Sequence, residues 1–384
     1  MQQDTPLIHW SDEGGDHQAH WRSVAGLPPP RRVAVADDTL PADRAYKLAC
    51  EGTALLWQGD FQNARHLLQA LQRRLDKRRP GPQPVSGEGP EAARAAFLAH
   101  RRAQGHRARV LGMVLLPFGA HHVCPLRRAP DVRMACGAVF GETDQPYVLP
   151  LRDLLGLIGA HEWRKSGVQV GAVQGRIHPH HGVFSPVRGE YVDLVAQAAL
   201  PPPGPAFDIG TGTGVLAAVL ARRGVQPIVA TDLSRQALDC ARDNLSRLGL
   251  QDAVTLVQTD LFPQGQAALV VCNPPWLPGH PTSVVEQAVY DPDSRMLRGF
   301  LQGLGAHLRP DGEGWLILSD LAEHLGLRSR EELLGWIEAG GLTVKGRVDA
   351  RPVHPKSRDA SDPLHQARAR EVTSLWRLGL PAAT

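Results

Sequence analysis

The stretch AFDIGTGTGVLAAVLARRGVQPIVATD, residues 206–232, decides the fold of this chain. A short apolar run, Ala206 to Ile209, leads into three glycines. An amphipathic run follows with Val215, Leu216, Val219 and Leu220 on one face, and Gly224 stands where a helix C′ residue belongs. A second apolar run then ends at Asp232. Working outward, the alternation continues through SRQALDCARDNLSRLG, AVTLVQTD, AALVVCNPP, a helix predicted near Asp293 to Leu308, GWLILSD, and a helix near Ser329 to Ala339. Such alternation predicts an α/β fold with a doubly wound, Rossmann-like sheet, in which ligands bind beyond the carboxyl ends of the strands.

The residues at those ends carry chemistry. In DIGTGTG, Asp208 to Gly214, the glycines 210, 212 and 214 let the backbone turn tightly and approach a ligand. The helix that follows offers unpaired N–H groups. The nicotinamide fingerprint fails here because Val215 stands three residues after Gly212, and Walker A fails for want of Gly-Lys-Ser/Thr. Asp232, about 20 residues past the glycines, suits both hydroxyls of a ribose. Asp260 closes the third strand and suits an adenine amino group beside Leu261 and Phe262. A cationic sulfonium tolerates such an acidic rim, whereas a triphosphate is repelled by it. Taken singly, each aspartate reads first as a helix N-cap or turn residue; their placement after successive strands reverses that preference in favour of the cofactor role.

After the fourth strand comes Asn273-Pro-Pro-Trp276. Each proline keeps the residue before it out of the helical region, so the main chain is stiffly preset. That stiffness suits an amide or nucleobase nitrogen, a poor nucleophile whose lone pair is delocalised. The Asn273 side-chain oxygen and the Pro274 carbonyl are the expected acceptors for its two N–H bonds, Pro275 completes the rigid turn, and Trp276 is expected to supply a flat stacking face. The plain alternative is a strand-ending turn. On the motifs DIGTGTG and NPPW, the region from roughly Phe184 to Leu378 resembles the class I S-adenosylmethionine-dependent methyltransferases of the "small" domain group. That group includes glutamine methyltransferases of release factors and of a ribosomal protein, and rRNA guanine and adenine methyltransferases. The resemblance implies a seven-stranded mixed sheet whose last two strands, near Leu342 to Val348 and Val372 to Leu378, form an antiparallel pair. It implies S-adenosyl-L-methionine as cofactor, with contacts from Asp208, Gly210, Thr211, Gly212, Gly214, Asp232, Leu233, Asp260, Leu261 and Asn273. Members commonly carry Tyr or Phe where this chain has Trp276. SPVRGEY, Ser185 to Tyr191, stands where the glutamine methyltransferases place a Pro-Arg-Pro-Glu-Thr-Glu-like segment, and makes Phe184 and Glu190 second-rank cofactor contacts.

The remainder is less specific. The 384 residues allow two domains, and 42% hydrophobic with 21% charged residues fits neither wholesale disorder nor a membrane bundle. The N-terminal residues lack the marks of a secretory signal, and the longest apolar run, Val110 to Pro117, is far short of a membrane span, so a cytoplasmic protein without membrane attachment is expected. Five scattered cysteines fit a reduced compartment; Cys124 and Cys136 with His121 and His122 match no standard zinc spacing, and no metal is expected. His178, His180 and His181 read as turn residues.

The expected organisation is a mixed α+β auxiliary, substrate-recognition domain over 1–165 with a Pro/Gly-rich loop at 80–90, a hairpin and linking helix over 166–200, and the methyltransferase domain over 201–384. Within the first part, leucines from Leu48 to Leu75 predict a helix over Leu40 to Arg79, a short helix is expected at Glu91 to Arg102, and RVLGMVLLPF and MACGAVFG read as buried strands. Basic residues cluster at Arg65, Arg73, Arg74, Lys77, Arg78 and Arg79, and again at Arg94, Arg101, Arg102, Arg107 and Arg109. A third cluster, Arg347, Arg351, His354, Lys356, Arg358 and Arg368, is expected to overhang the cofactor pocket. Such clusters suit RNA phosphates or, equally, solvated helix faces. Three functions stay open: an N-methyltransferase for an exocyclic amine of a base in RNA, rRNA or tRNA; a glutamine N-methyltransferase acting on a release factor or ribosomal protein; and a non-catalytic RNA-binding assembly factor.

Overall fold

The computed structural model describes residues 5–77, 89–281, 285–352, 362 and 364–382. The chain forms two units, Met1–Pro84 with Ala99–Glu162, and Val85–Leu98 with Trp163–Thr384.

The first unit holds strands β1 (Leu7–Asp12), β2 (Gly15–Trp21), β3 (Arg32–Ala36), β4 (Thr53–Trp57), β5 (Val114–Phe118) and β6 (Tyr147–Pro150) in one sheet ordered β1-β2-β6-β5-β4-β3. Neighbours β3, β4 and β5 run parallel, and β6 lies antiparallel to β5. Helix α1 (Ala42–Cys50) links β3 to β4, and α2 (Phe61–Lys77) follows β4. Helix α3 (Pro90–Leu111) begins in the second unit and ends in the first; α4 (Arg133–Phe140) and α5 (Leu151–Ser166) follow.

Three expectations fail in this unit. The helix predicted over Leu40 to Arg79 is two helices with a strand between them: Gly52, at φ 81°, stops α1, and TALLW becomes β4, whose Leu55 and Leu56 are almost wholly buried. Burial on both sheet faces, about 1.5–3 kcal/mol per large side chain, overrides the helical spacing of those leucines. MACGAVFG is helix α4 rather than a strand, with Ala135 and Cys136 as its inner face. RVLGMVLLPF is divided: Val110 and Leu111 close α3, which runs well past the expected Arg102, and the strand begins only at Val114. The Pro/Gly-rich loop at 80–90 lies almost entirely outside the described residues.

In the second unit a two-stranded antiparallel hairpin, β7 (Val168–Val170) and β8 (Gly175–Ile177), precedes α6 (Glu190–Gln197). The main sheet contains β9 (Ala206–Ile209), β10 (Ile228–Asp232), β11 (Val254–Gln258), β12 (Ala267–Cys272), β15 (Leu308–Ser319), β16 (Thr343–Ala350) and β17 (Thr373–Gly379) in the order β11-β10-β9-β12-β15-β17-β16. A short parallel pair, β13 (Leu277–Pro278) and β14 (Tyr290–Asp291), lies outside it. The first five sheet strands are parallel, and β17 runs antiparallel to both β15 and β16, the seven-stranded mixed sheet that the resemblance implies.

Helices α7 (Val215–Arg222), α8 (Arg235–Arg247), α9 (Arg295–His307), α10 (Leu321–His324), α11 (Arg330–Ala339) and α12 (His365–Arg370) complete the unit. Sequence supplies their ends. Gly224 takes φ 79° just past α7, Ser234 caps α8 by accepting from the Ala237 amide, and Ser329 with Glu332 forms a capping box on α11. Two cores result. Val215, Leu216 and Val219 pack with α6 and Trp315 in one, and Phe300, Leu304 and Ile337 pack with Leu316 and Trp376 in the other.

Candidate active site

Strand register brings the sequence-predicted residues to one edge. Ile209 pairs with Thr231 of β10 and with Cys272 of β12, so Gly210, Asp232 and Asn273 each come one residue past paired positions on three adjacent strands. Neighbouring strands lie about 4.8 Å apart. Asp232 itself pairs with Gln258, which carries the row on toward Asp260.

The glycine loop is held from within. Asp208 is buried and accepts from the Thr211 hydroxyl at 2.6 Å and the Ala217 amide at 3.1 Å. Its carboxyl is pushed up to about 6, chiefly by burial, with those hydrogen bonds pulling the other way. One carboxylate oxygen takes both bonds, so Asp208 ties Thr211 of the loop to the first turn of α7. Asn244, also buried, donates to the Thr213 carbonyl at 3.0 Å and accepts from the His178 amide, which ties the hairpin after α5 to the loop. Gly214, at φ 78°, packs against Ala241, and a Cβ there would come within 3.1 Å of it. Gly212, at φ 55°, differs: nothing lies within 4 Å of the place a Cβ would occupy, so this part of the loop faces open space. Thr211, in contrast, is buried.

Asp232 receives the Gly212 amide at 3.0 Å on one oxygen and the Ser234 amide at 2.8 Å on the other. Burial raises its carboxyl above the usual range, and the backbone donors partly offset this. Leu233 beside it is exposed, an apolar surface next to an acid. Asp260 is exposed and ion-paired with Arg295, a partner that sequence reading did not supply. Leu261 takes φ 68°, and its carbonyl receives the Thr231 hydroxyl at 2.6 Å.

At Asn273-Pro-Pro-Trp276 the structure departs from expectation. The Trp276 indole N–H donates to the Asn273 side-chain oxygen at 2.8 Å, so one lone pair of that oxygen is already engaged. A carbonyl oxygen has a second. The Trp276 ring is not bare on both faces: the Arg188 guanidinium lies over it, 4.7 Å from the ring centre. Arg188 is held in turn by Glu190 at 2.7 Å and Glu371 at 3.0 Å, and Glu371 accepts from Ser319 at 2.6 Å. Glu190 is thus a buried support for Arg188 and Trp276. Phe184 packs at the edge of the core near Tyr191. Arg188, Ser319 and Glu371 were missed from sequence, and only the SPVRGEY segment pointed to this corner.

Only part of the third basic cluster falls among the described residues. Arg347 bonds Asp349 at 2.8 Å, Arg368 pairs with Asp362 at 2.8 Å, and His354, Lys356 and Arg358 lie outside the described residues. His178 and His180 lie in the irregular segment after β8, bonded to the Arg164 carbonyl and to Asp243, and of the three histidines expected in a turn only His181 is in one. Among the described residues, no group of three or more His, Cys, Asp or Glu side chains could hold a metal ion, and no helix is long and apolar enough to cross a membrane.

A family model described as the methyltransferase small domain matches residues 174–324. A release factor glutamine methyltransferase of Cereibacter sphaeroides is 30% identical over 196 residues, 47% of this chain and 65% of that protein. A ribosomal protein L11 methyltransferase of Rhodopseudomonas palustris is 37% identical over 100 residues, 26% of this chain and 32% of that protein. A tRNA1(Val) (adenine(37)-N6)-methyltransferase of Vibrio parahaemolyticus is 36% identical over 95 residues, 24% of this chain and 40% of that protein. The chain thus spans less than two thirds of the length of each of these relatives. Residues 174–324, which contain both the glycine loop and the Asn273-Pro-Pro-Trp276 turn, match the methyltransferase small domain, and the three relatives similar to this chain are all methyltransferases.

Proposed function

We propose that the chain is an N-methyltransferase acting on a planar amino or amide nitrogen, and that its acceptor is an exocyclic amine of a base in RNA. The observation that carries the reaction class is the register of β9 and β12, which sets Gly210 and Asn273 side by side at one strand edge. The residues there fit S-adenosylmethionine: the open backbone at Gly212 receives a close ligand, Asp232 accepts ribose hydroxyls, and Leu233, Leu261 and Asp260 suit an adenine. When bound, the cofactor supplies an electrophilic methyl on a sulfonium sulfur.

The chain's own residues do the rest. The free lone pair of the Asn273 oxygen and the Pro274 carbonyl accept the two N–H bonds of the acceptor, which orients its nitrogen and favours the positive charge that develops on it. Trp276 holds the Asn273 oxygen in place, and Arg188 backs the ring.

For the acceptor, RNA is supported by the division of charge. The excess of basic over acidic residues lies in the first unit, while the second has none. A basic auxiliary unit suits a polyanion. A protein glutamine is the second reading, favoured by Arg188 of the SPVRGEY segment lying on Trp276 and by the release factor relative. Incubation with tritiated S-adenosylmethionine and a cell extract, followed by ribonuclease or protease, separates the two. Label lost to ribonuclease supports the base in RNA, and label in a ribonuclease-resistant protein band overturns it in favour of glutamine. Failure to bind the cofactor in calorimetry would leave only the non-catalytic reading.

A further inference from the structure

The first unit has its own strand-to-helix turn, Trp57-Gln58-Gly59-Asp60, between the parallel strand β4 and α2. Asp60 is 1% exposed, and its place is fixed from several sides. Asp38, beyond the end of β3, accepts the Asp60 amide, the Trp57 indole donates to the Asp60 carbonyl at 3.0 Å, and one carboxylate oxygen caps α2 by accepting the Gln62 amide at 2.8 Å. The other oxygen takes two guanidinium groups at once, Arg127 Nε at 2.9 Å and Arg128 Nε at 2.7 Å.

One arginine would suffice to pair a buried carboxylate. A second cation on the same oxygen brings like charges together, which is unfavourable without an anion. Because each guanidinium engages Asp60 through Nε, its two terminal NH2 groups have no partner among the described residues. The side chains are 75% and 57% exposed, so these donors fan out into solvent from a buried anchor. Arg128 also takes a φ of 58°, disfavoured for any residue with a Cβ and kept where the surroundings enforce it. Both arginines stand beside the N-terminus of a 17-residue helix whose first amides are already taken by Asp60 and by the Arg127 carbonyl, so the guanidinium groups are the donors this edge presents to solvent.

We propose that Arg127 and Arg128, anchored on Asp60, form a fork that grips a backbone phosphate of the RNA acceptor. This rests on the reading of the acceptor as RNA. Arginine forks match phosphate oxygens in pairs, and a site that reads only the backbone orients a folded RNA without selecting its sequence.

The test uses the full chain and total bacterial RNA, with filter-binding affinities measured across a salt series. The double variant Arg127→Gln with Arg128→Gln is expected to bind at least tenfold more weakly at low salt, and to lower the slope of log affinity against log salt by roughly 1.4 to 1.8. Cofactor binding should be unchanged. Arg127→Gln alone leaves Arg128 on Asp60, so the fold is kept, and it should lower the slope by about half as much. Arg44→Gln with Lys47→Gln on α1 is the charge-matched control, expected to move the slope less than either. Salt slopes equal among wild type, single variant and control overturn the fork while leaving RNA as the acceptor. A wild-type chain that binds no RNA but labels a protein overturns the acceptor reading, and the fork with it. Calorimetric binding of ATP as tight as that of RNA would assign the fork to a free nucleotide instead.

Discussion

Both units thread helices between parallel strands, and both place their distinctive side chains at the carboxyl ends of those strands. In the second unit that edge is acidic and preassembled: buried Asp208 accepts from the Thr211 hydroxyl and the Ala217 amide, and half-buried Asp232 from the Gly212 and Ser234 amides. In the first unit the acid, Asp60, is hidden and the outward-facing groups are two arginines. The same architecture therefore presents acceptors in one place and donors in the other. One arrangement is suited to a cationic cofactor with hydroxyls, the other to a polyanion.

If the second unit alone carries the chemistry, Asn273→Ala should lower kcat by about a hundred- to a thousandfold, the range for losing one aligned polar group at a reacting centre. Calorimetry should find cofactor affinity within a few fold of wild type, and RNA affinity unchanged. Full turnover by this variant would remove Asn273 from the site. Asp232→Ala sharpens the contrast from the cofactor side: loss of a charged hydrogen-bonding group should weaken S-adenosylmethionine binding by roughly 10- to 100-fold, with RNA binding intact. Trp276→Phe keeps a ring beneath Arg188 but deletes the N–H on Asn273, so kcat should fall about tenfold while KM for the acceptor changes little. A fall in affinity instead, at constant kcat, would make Trp276 a stacking surface only.

The smallest effect concerns pH. The folded-state carboxyl of Asp208, at about 6, lies above its ordinary value of 3.8, mainly through burial. Its favourable contribution is therefore full below pH 3.8 and lost as pH rises through about 6. Thermal denaturation of Asp208→Asn should lack this downward step between about pH 4 and 6. An unaltered profile would show that the buried carboxyl titrates elsewhere.

The two regions also differ in how far sequence reveals them. Around the cofactor site the strands are short apolar runs closed by Gly, Asp or Asn, and α8 and α11 carry serine caps, so local pattern and tertiary role agree. In the first unit they compete. Leu48, Leu55, Leu56 and Leu67 follow helical spacing, yet Leu55 and Leu56 lie on a strand buried on both faces, where a continuous apolar run carries no period of its own. MACGAVFG misleads in the opposite sense: eight residues of small and apolar type fit strand or helix, and packing selected the helix. Polar partnerships at long range stay hidden for a different reason. Arg188 meets Glu371 from 183 residues away, and Asp60 meets Arg127 from 67 residues away, so no window of sequence contains both members. The stiffness of Asn273-Pro-Pro-Trp276 is legible in its two prolines, but its internal hydrogen bond is not, because the motif itself does not say where the indole points.

That indole bond has one more consequence. An asparagine amide is nearly symmetric in shape, and rotating it by half a turn would exchange an oxygen for an NH2 group at little steric cost. Turned that way, it would confront the hydrogens of an incoming amine with hydrogens of its own. The indole is a donor only, so it tolerates one of the two orientations and rejects the other. A tryptophan at this place thus sets the polarity of its neighbour before any substrate arrives, which neither the ring of a phenylalanine nor the freely rotating hydroxyl of a tyrosine can do.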